Sequence, residues 1–236
     1  MFEFIMRSSG SYSWRKIKLI RWFKPPDPTL NVNKKDLNRL IDKVFSKKGR
    51  ILDLGSGGKK LKEGIINLDL DIFDHVQVVG DAHYLPFIDE IFDLIIITAV
   101  LEHVKYPEQV VCEIERCLKE EGMVYAQVPF LQGYHADPND YQRYTIAGLK
   151  VLFSAFNEQE VGVCVGPISV LAWYLRKFPT IFFKNVHLIK GIEIITGWIF
   201  FIIKYLDFFV VKAKNAHILS SGLYYLGIKK SNNSKV

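Results

Sequence analysis

Short hydrophobic runs alternate with helix-like segments through the first two thirds of the chain. The runs that predict β-strands cover residues 50–54, 65–69, 76–79, 92–97 and 123–128. Apolar residues every three to four positions predict helices from Asn33 or Asp36 to Ser46, at 107–119, and at 146–155 with Thr145 as its cap. Strands and helices that alternate in this way form a mostly parallel sheet with helices on both faces.

The pattern changes after residue 155. Residues 160–165 and 218–228 read as two further strands, and the segments 168–184 and 188–212 between them are strongly apolar. We therefore predict an α/β fold with a doubly wound, mostly parallel, seven-stranded sheet. Its last two strands pair, and an apolar helical hairpin is inserted before the last one. The predicted divisions are a basic aromatic segment at 1–28, a core at 29–166, the apolar insertion at 167–214, and a final strand with a basic tail at 215–236.

Candidate ligand-binding groups fall at the carboxyl ends of the predicted strands. Residues 51–58 read ILDLGSGG, and these glycines let the backbone approach a ligand closely. The second strand ends at Asp69, whose carboxylate suits two ribose hydroxyls, and the third ends at Asp81, which suits an exocyclic adenine amine. Thr98 to His103 follow the fourth strand. Because parallel strand ends share one edge of a sheet, these groups predict a site for a nucleotide-like cofactor.

In this order, the segments ILDLGSGG, NLDLD, VVGDAHYLPF and FDLIIITAVLEHV resemble those of the class I S-adenosylmethionine-dependent methyltransferases. The resemblance covers roughly 45–165 and the last strand. It implies a Rossmann-like fold and S-adenosylmethionine (SAM) as cofactor. It further implies cofactor contacts from Asp53, Gly55, Ser56, Gly57, Asp69, Asp81, Ala82 and Thr98. Lys59 replaces a common family glycine, and the short interval from Asp53 to Asp69 predicts that the intervening helix is reduced to a turn or so.

The predicted acceptor wall is the loop after the fifth strand, residues 129–145. His135 is the candidate general base, since imidazole titrates near neutrality, and Asp140 is the candidate to orient it. His103 is the rival base. Substrate contacts are predicted for Tyr134, Tyr144 and Arg143, the last suited to an anionic group such as a phosphate. An ordinary turn in which Arg143 pairs with Asp140 is the alternative.

The apolar run at 191–211 is about as long as a membrane span, but Glu193, Lys204 and Asp207 interrupt it. At about 100° per residue, these three charges fall on one narrow stripe. A helix lying in the membrane interface would keep this stripe in water and bury its other faces, which predicts a monotopic hairpin. A buried helix pair, a dimer interface and a true span are the alternatives.

The net charge of +6 divides into +4 for residues 1–28, −6 for 29–166 and +8 for 167–236. Basic, apolar flanks predict an anionic membrane surface as partner, and the acidic core offers no track for nucleic acid. The three sparse cysteines indicate a reducing compartment, and no cluster has the ligand spacing of a metal site. The beginning of the chain does not read as a secretion signal, so we expect a location at the cytoplasmic face of the cell membrane.

The acceptor loop also resembles that of methyltransferases from bacterial surface-polysaccharide gene clusters, which implies a sugar or lipid-linked glycan acceptor. A quinone or other lipid acceptor fits the same hairpin. The alternative from a different class is a catalytically inactive, cofactor-binding, membrane-associated partner protein. The acceptor atom and the oligomeric state are left open.

Overall fold

A computed structural model describes residues 23–136 and 138–231. Most of the predicted basic segment at 1–28 and the end of the basic tail therefore lie outside the described residues. The strands form one seven-stranded sheet in the order β3-β2-β1-β4-β5-β7-β6. Their bounds are β1 (Ile51–Leu54), β2 (Ile66–Asp69), β3 (Val78–Val79), β4 (Phe92–Thr98), β5 (Leu118–Pro129), β6 (Phe156–Val165) and β7 (Gly222–Lys229).

Among the described residues, helices lie before β1, between β4 and β5, between β5 and β6, and between β6 and β7. The core helices are α1 (Lys34–Ser46), α2 (Pro107–Cys117) and α3 (Ile146–Leu152). The insertion before β7 contains α4 (Pro167–Lys177), α5 (Val186–Phe200) and α6 (Asp207–Val210), with 3₁₀ turns at Phe178–Phe182, Phe201–Leu206 and Ala216–Ile218. The predicted helical insertion is thus confirmed.

The centre of the sheet is parallel and apolar. β1 pairs in parallel with both β2 and β4, and β4 pairs in parallel with β5. The β4 residues Leu94 to Ile97 are fully buried, as a central strand covered on both faces requires. β7 lies between β5 and β6, which confirms that the last two strands pair.

Local signals account for several boundaries. Thr145 caps α3, since its hydroxyl oxygen accepts the Gly148 N–H at 3.0 Å. Asn33 precedes α1 without a side-chain capping bond. Residues 55–65 contain no helix, so the predicted shortening between β1 and β2 is complete.

The described residues divide into two compact units. The sheet unit contains 33–129, 141–162 and 223–231. The hairpin unit contains 23–32, 163–222 and the loop 130–140, of which residue 137 is not described. The hairpin unit therefore includes the loop that follows β5, a grouping that sequence periodicity does not reveal.

Candidate active site and apolar hairpin

The turn after β1 has the backbone conformation that its glycines suggest. Gly55 and Gly57 have φ values of 73° and 57°, in the left-handed region that favours glycine. A Cβ on Gly55 would lie 2.2 Å from Cγ2 of Val100, whereas a Cβ on Gly57 would meet no atom within 4 Å. Gly55 therefore allows close packing, and Gly57 faces open space where a ligand has access to the backbone.

Asp69 at the end of β2 joins this turn to its own strand. One carboxylate oxygen accepts the N–H of Gly57 at 2.7 Å, and the other accepts the N–H of Asp71 at 3.0 Å. Each oxygen keeps a further lone pair, so the carboxylate retains acceptor capacity for ribose hydroxyls.

Asp53 lies within β1 and is 4 % exposed. Its burial, and secondarily the negative charge of Asp69, raise its pKa to about 7. A buried acid of this kind favours a cationic neighbour, and SAM carries positive charge on its sulfonium and amino groups. The electrostatics of the turn therefore suit the methionine end of the cofactor.

Asp81, which follows β3, contacts His83, a residue that was not predicted to belong to the site. It accepts the backbone N–H of His83 at 2.9 Å and lies 2.6 Å from the ring Nδ1 of the same histidine. Burial alone would raise the pKa of Asp81, but the hydrogen bonds and charge of His83 hold it below its ordinary value. Ala82 lies half-buried between them. The Asp-x-His spacing was the available signal for this turn.

Two hydroxyl groups at the same strand ends have buried oxygens without a hydrogen-bond partner in the described part of the chain. They belong to Ser56, in the glycine turn, and Thr98, at the end of β4. Buried hydroxyls normally have partners, so these two groups have hydrogen-bonding capacity that a ligand could use. Together with the carboxylates of Asp53 and Asp69, they form a polar cradle that fits SAM. Asp81 and Ala82 would hold the adenine.

Residues just before α3 hold the segment after β4 in place by hydrogen bonds. The Tyr141 N–H donates to the carbonyl of Glu102 at 2.8 Å, and the Gln142 side chain donates to the carbonyl of Leu101 at 3.1 Å. His103, the rival base, places its Nε2 atom 3.7 Å from a buried carboxylate oxygen of Glu102. The role of Gln142 in holding this segment was not predicted from the sequence, because its partners lie about forty positions away.

The structure does not support a substrate contact by Tyr144. Its side chain is buried, and its hydroxyl donates to the carbonyl of Leu101 at 3.1 Å. Burial, followed by the charges of Glu102 and Glu108, raises the pKa of this phenol. Arg143 is half-buried and donates to the carbonyl of Gln142 at 2.9 Å.

In the hairpin unit, His135 and Asp140 lie together. The carboxylate of Asp140 accepts the backbone N–H of His135 at 2.8 Å and lies 3.7 Å from the ring Nδ1. The same Nδ1 is 3.1 Å from the carbonyl of Gly133, so the tautomer that donates there leaves Nε2 as the basic atom. This geometry suits a general base. Tyr134 is 66 % exposed and available to a ligand.

The polar stripe of the hairpin faces inward, contrary to the expectation that water would cover it. Asp207 is fully buried, where it accepts the backbone N–H groups of Ile168 and Ser169 at 2.8 and 2.9 Å and the Ser169 hydroxyl at 2.6 Å. Glu193 pairs with Lys177 at 2.6 Å. The stripe therefore joins the two arms of the hairpin, because buried charges require partners.

An extended strap, residues 23–32, covers the rest of this stripe. The buried ammonium of Lys204 donates to the carbonyl of Asp27, and the Trp198 indole donates to the carbonyl of Phe23 at 3.1 Å. Gly197 permits the approach, since a Cβ there would lie 2.5 Å from Cγ of Pro25. The hairpin thus has a polar interior.

Its outer face is apolar. Among the described residues, one helical segment, Val186–Val210, is long and apolar enough to cross a membrane, with 25 residues and a mean hydropathy of 1.8 over its most apolar part. Only 6 % of its most apolar part is buried. The exposed large side chains recur at helical spacing, at Ile195, Trp198, Ile199, Ile202, Leu206 and Phe209.

The fold is that of a Rossmann-like methyltransferase. Residues 52–126 match the model of a methyltransferase domain family. The chain is therefore an S-adenosylmethionine-dependent methyltransferase, with SAM as its cofactor. A comparison with curated proteins gives no match.

Solved structures share the fold. The chain is similar to a protein provisionally named a methyltransferase from Bacillus halodurans C-125, with a TM-score of 0.50, 16 % identity, and coverage of 84 % of this chain and 100 % of the other. It is also similar to a protein provisionally named a sarcosine dimethylglycine methyltransferase from Galdieria sulphuraria, with a TM-score of 0.51, 13 % identity and 84 % coverage of both chains. A protein from Pyrococcus horikoshii OT3 has a TM-score of 0.50 at 15 % identity, over 98 % of this chain and 100 % of the other.

Proposed function

We propose that this methyltransferase acts at the cytoplasmic surface of the cell membrane on a sugar or lipid-linked glycan intermediate. The observation that carries the proposal is the orientation of the hairpin, with charges inside and large apolar side chains outside. A helix pair that folds in water places its apolar residues inward. The reverse arrangement suits a surface that meets acyl chains and anionic headgroups.

The exposure of the large apolar side chains on this face supports the same conclusion. Soluble monomers rarely expose contiguous apolar patches beyond a few hundred Å². Here the exposed fractions reach 62 % for Ile195 and Ile202 and 80 % for Phe209. The nearby Lys212 and Lys214 are exposed cations that suit anionic lipid headgroups.

The chemistry follows from the residues of each unit. SAM supplies a methyl group on a positively charged sulfur, which an acceptor atom displaces in line. A sugar hydroxyl loses its proton during this attack, and Nε2 of His135 would take it. The buried carboxylate of Asp140, which is 1 % exposed, would stabilise the imidazolium that forms. Tyr134, which belongs to the same unit as His135, would bind the remainder of the acceptor.

The membrane part is tested by sedimentation of the full chain with vesicles of phosphatidylglycerol and phosphatidylethanolamine. We expect the triple change Ile195→Ser, Ile202→Ser, Phe209→Ser to lower vesicle binding by about tenfold or more, because three exposed apolar side chains are lost. Ile88→Ser with Val151→Ser is the control, since these side chains are 73 % and 75 % exposed in the sheet unit. Wild-type protein that stays in the supernatant would contradict the membrane proposal.

The acceptor is tested with SAM that carries a labelled methyl group and a membrane lipid extract from the source cells. Label should enter the solvent-extractable fraction and move to water after mild acid, which cleaves glycosyl phosphates. Label that remains in the organic phase would indicate a quinone or another lipid acceptor. SAM binding without any transfer would favour the inactive partner protein. His135→Ala should reduce turnover by about 10²-fold, whereas an equal loss only in His103→Ala would transfer the role of base to His103.

A further inference from the structure

Within the hairpin unit, the acceptor loop packs against one aromatic ring of α4. A Cβ built on Gly133 would lie 2.0 Å from Cη2 and 2.2 Å from Cζ3 of Trp173. These distances are far below any normal contact, so the loop backbone lies directly on the indole. A residue other than glycine would displace the loop or the ring.

His135 takes its position from the same point. Its ring Nδ1 is 3.1 Å from the carbonyl of Gly133, the residue that rests on Trp173. The start of the loop is also fixed to this unit, because Phe130 and Leu131 donate N–H groups to the carbonyls of Ser221 and Ser220 at 2.8 and 3.2 Å. The site of the candidate base is therefore built on the residues that flank and form the hairpin.

Trp173 in turn contacts the exposed face of α4. Its ring lies edge to face with Tyr174, with ring centroids 5.4 Å apart. Tyr174 is 47 % exposed, and Leu171 and Phe178 extend the same apolar face at helical spacing. Anything that covers this face restrains Tyr174, and through it Trp173.

We propose that Trp173 is a positioning residue, which holds the loop that carries His135 against the hairpin. Membrane contact at Tyr174 then restrains Trp173 and orders this loop. The inference rests on the proposed function, because the membrane is the surface that restrains Tyr174. Vesicle binding therefore lowers the mobility of residues 130–136. The cofactor cradle belongs to the sheet unit and does not depend on this contact.

Hydrogen exchange measured by mass spectrometry on the full chain tests the contact between Gly133 and Trp173. Gly133→Ala should raise the exchange rate of the 130–136 amides by about tenfold, since one local contact that closes the loop is lost. Trp173→Leu should do the same, and the double variant should be no worse than either single variant, because both act on one contact. Gly191→Ala is the matched control, since a Cβ there meets no atom within 4 Å.

The coupling is tested by adding phosphatidylglycerol and phosphatidylethanolamine vesicles. In wild type we expect slower exchange of the loop amides, about threefold or more, whereas Trp173→Leu should bind vesicles and SAM as wild type does but show no slowing. Vesicle binding without slowing in wild type, or slowing that persists in Trp173→Leu, overturns the inference and leaves the proposed function intact. Absence of vesicle binding in wild type overturns both.

Discussion

The carboxylate of Asp69 holds the backbone N–H of Gly57 at 2.7 Å. One side chain at the end of β2 therefore fixes the glycine turn after β1 while it retains lone pairs for a ligand. This double use explains how a turn without a following helix keeps its shape. The negative charge of Asp69 also contributes, after burial, to the raised pKa of Asp53.

Asp69→Asn should weaken SAM binding by about 10- to 100-fold, since hydrogen bonds to a charged group contribute about 1.5–3 kcal/mol. The amide oxygen of asparagine still accepts the Gly57 N–H, so the fold should persist. Isothermal titration calorimetry measures the change. Asp71→Asn is the matched control, because Asp71 is an exposed carboxylate two positions away. An equal loss in both variants would mean that Asp71 shares the ribose contact.

Asp53 should make both stability and SAM binding depend on pH. Its folded pKa of about 7 lies above its ordinary value of 3.8, so the folded chain binds more protons than the unfolded chain between these values. Asp53 therefore lowers stability as pH rises through that window, and Asp53→Asn should remove this component. Urea unfolding of the cofactor-free protein at several pH values measures it.

The same pKa predicts proton release when SAM binds near pH 7. The positive charge of the cofactor favours the ionised carboxylate, so a fraction of a proton leaves Asp53 on binding. Calorimetry in two buffers of different ionisation enthalpy detects this release. We expect none in Asp53→Asn; equal release in the variant would place the proton on another group.

Much of the sheet unit was predictable because its signals are local. The apolar run of β4, the strand-end acids and the Thr145 cap depend on near neighbours in sequence. The Asp81–His83 pair is also local in sequence, but the strand-end pattern singled out Asp81 and not the histidine two positions after it. Gln142 and Trp173 had no such signal, since their partners come from distant positions.

The hairpin shows the limit of periodicity. Helical spacing correctly grouped Glu193, Lys204 and Asp207 on one face, but spacing does not determine what that face contacts. The partners are the N–H groups at the start of α4 and the carbonyl of Asp27, which only the folded chain brings there. The stripe was therefore predicted to be wet although it is internal.

The two glycines of the turn should differ in their sensitivity to substitution. Both have positive φ, so alanine at either costs about 1 kcal/mol for the left-handed backbone. Gly55→Ala adds an overlap with Val100 and should cost about 1–3 kcal/mol more, whereas Gly57→Ala enters open space. Urea unfolding compares the two variants, each serving as the other's control. Equal costs would show that Val100 moves aside without penalty.

Asp207→Ala should destabilise the hairpin by about 3 kcal/mol, because two N–H groups and a hydroxyl lose a charged acceptor away from water. Asp207→Asn should cost less, since its amide oxygen replaces part of the acceptor. Hydrogen exchange of the α4 and α5 amides reports the loss locally. Asp36→Ala is the control, as that carboxylate is 62 % exposed and forms a surface pair with Arg39. If the stripe were solvated, Asp207→Ala would cost no more than Asp36→Ala, and the polar interior of the hairpin would be refuted.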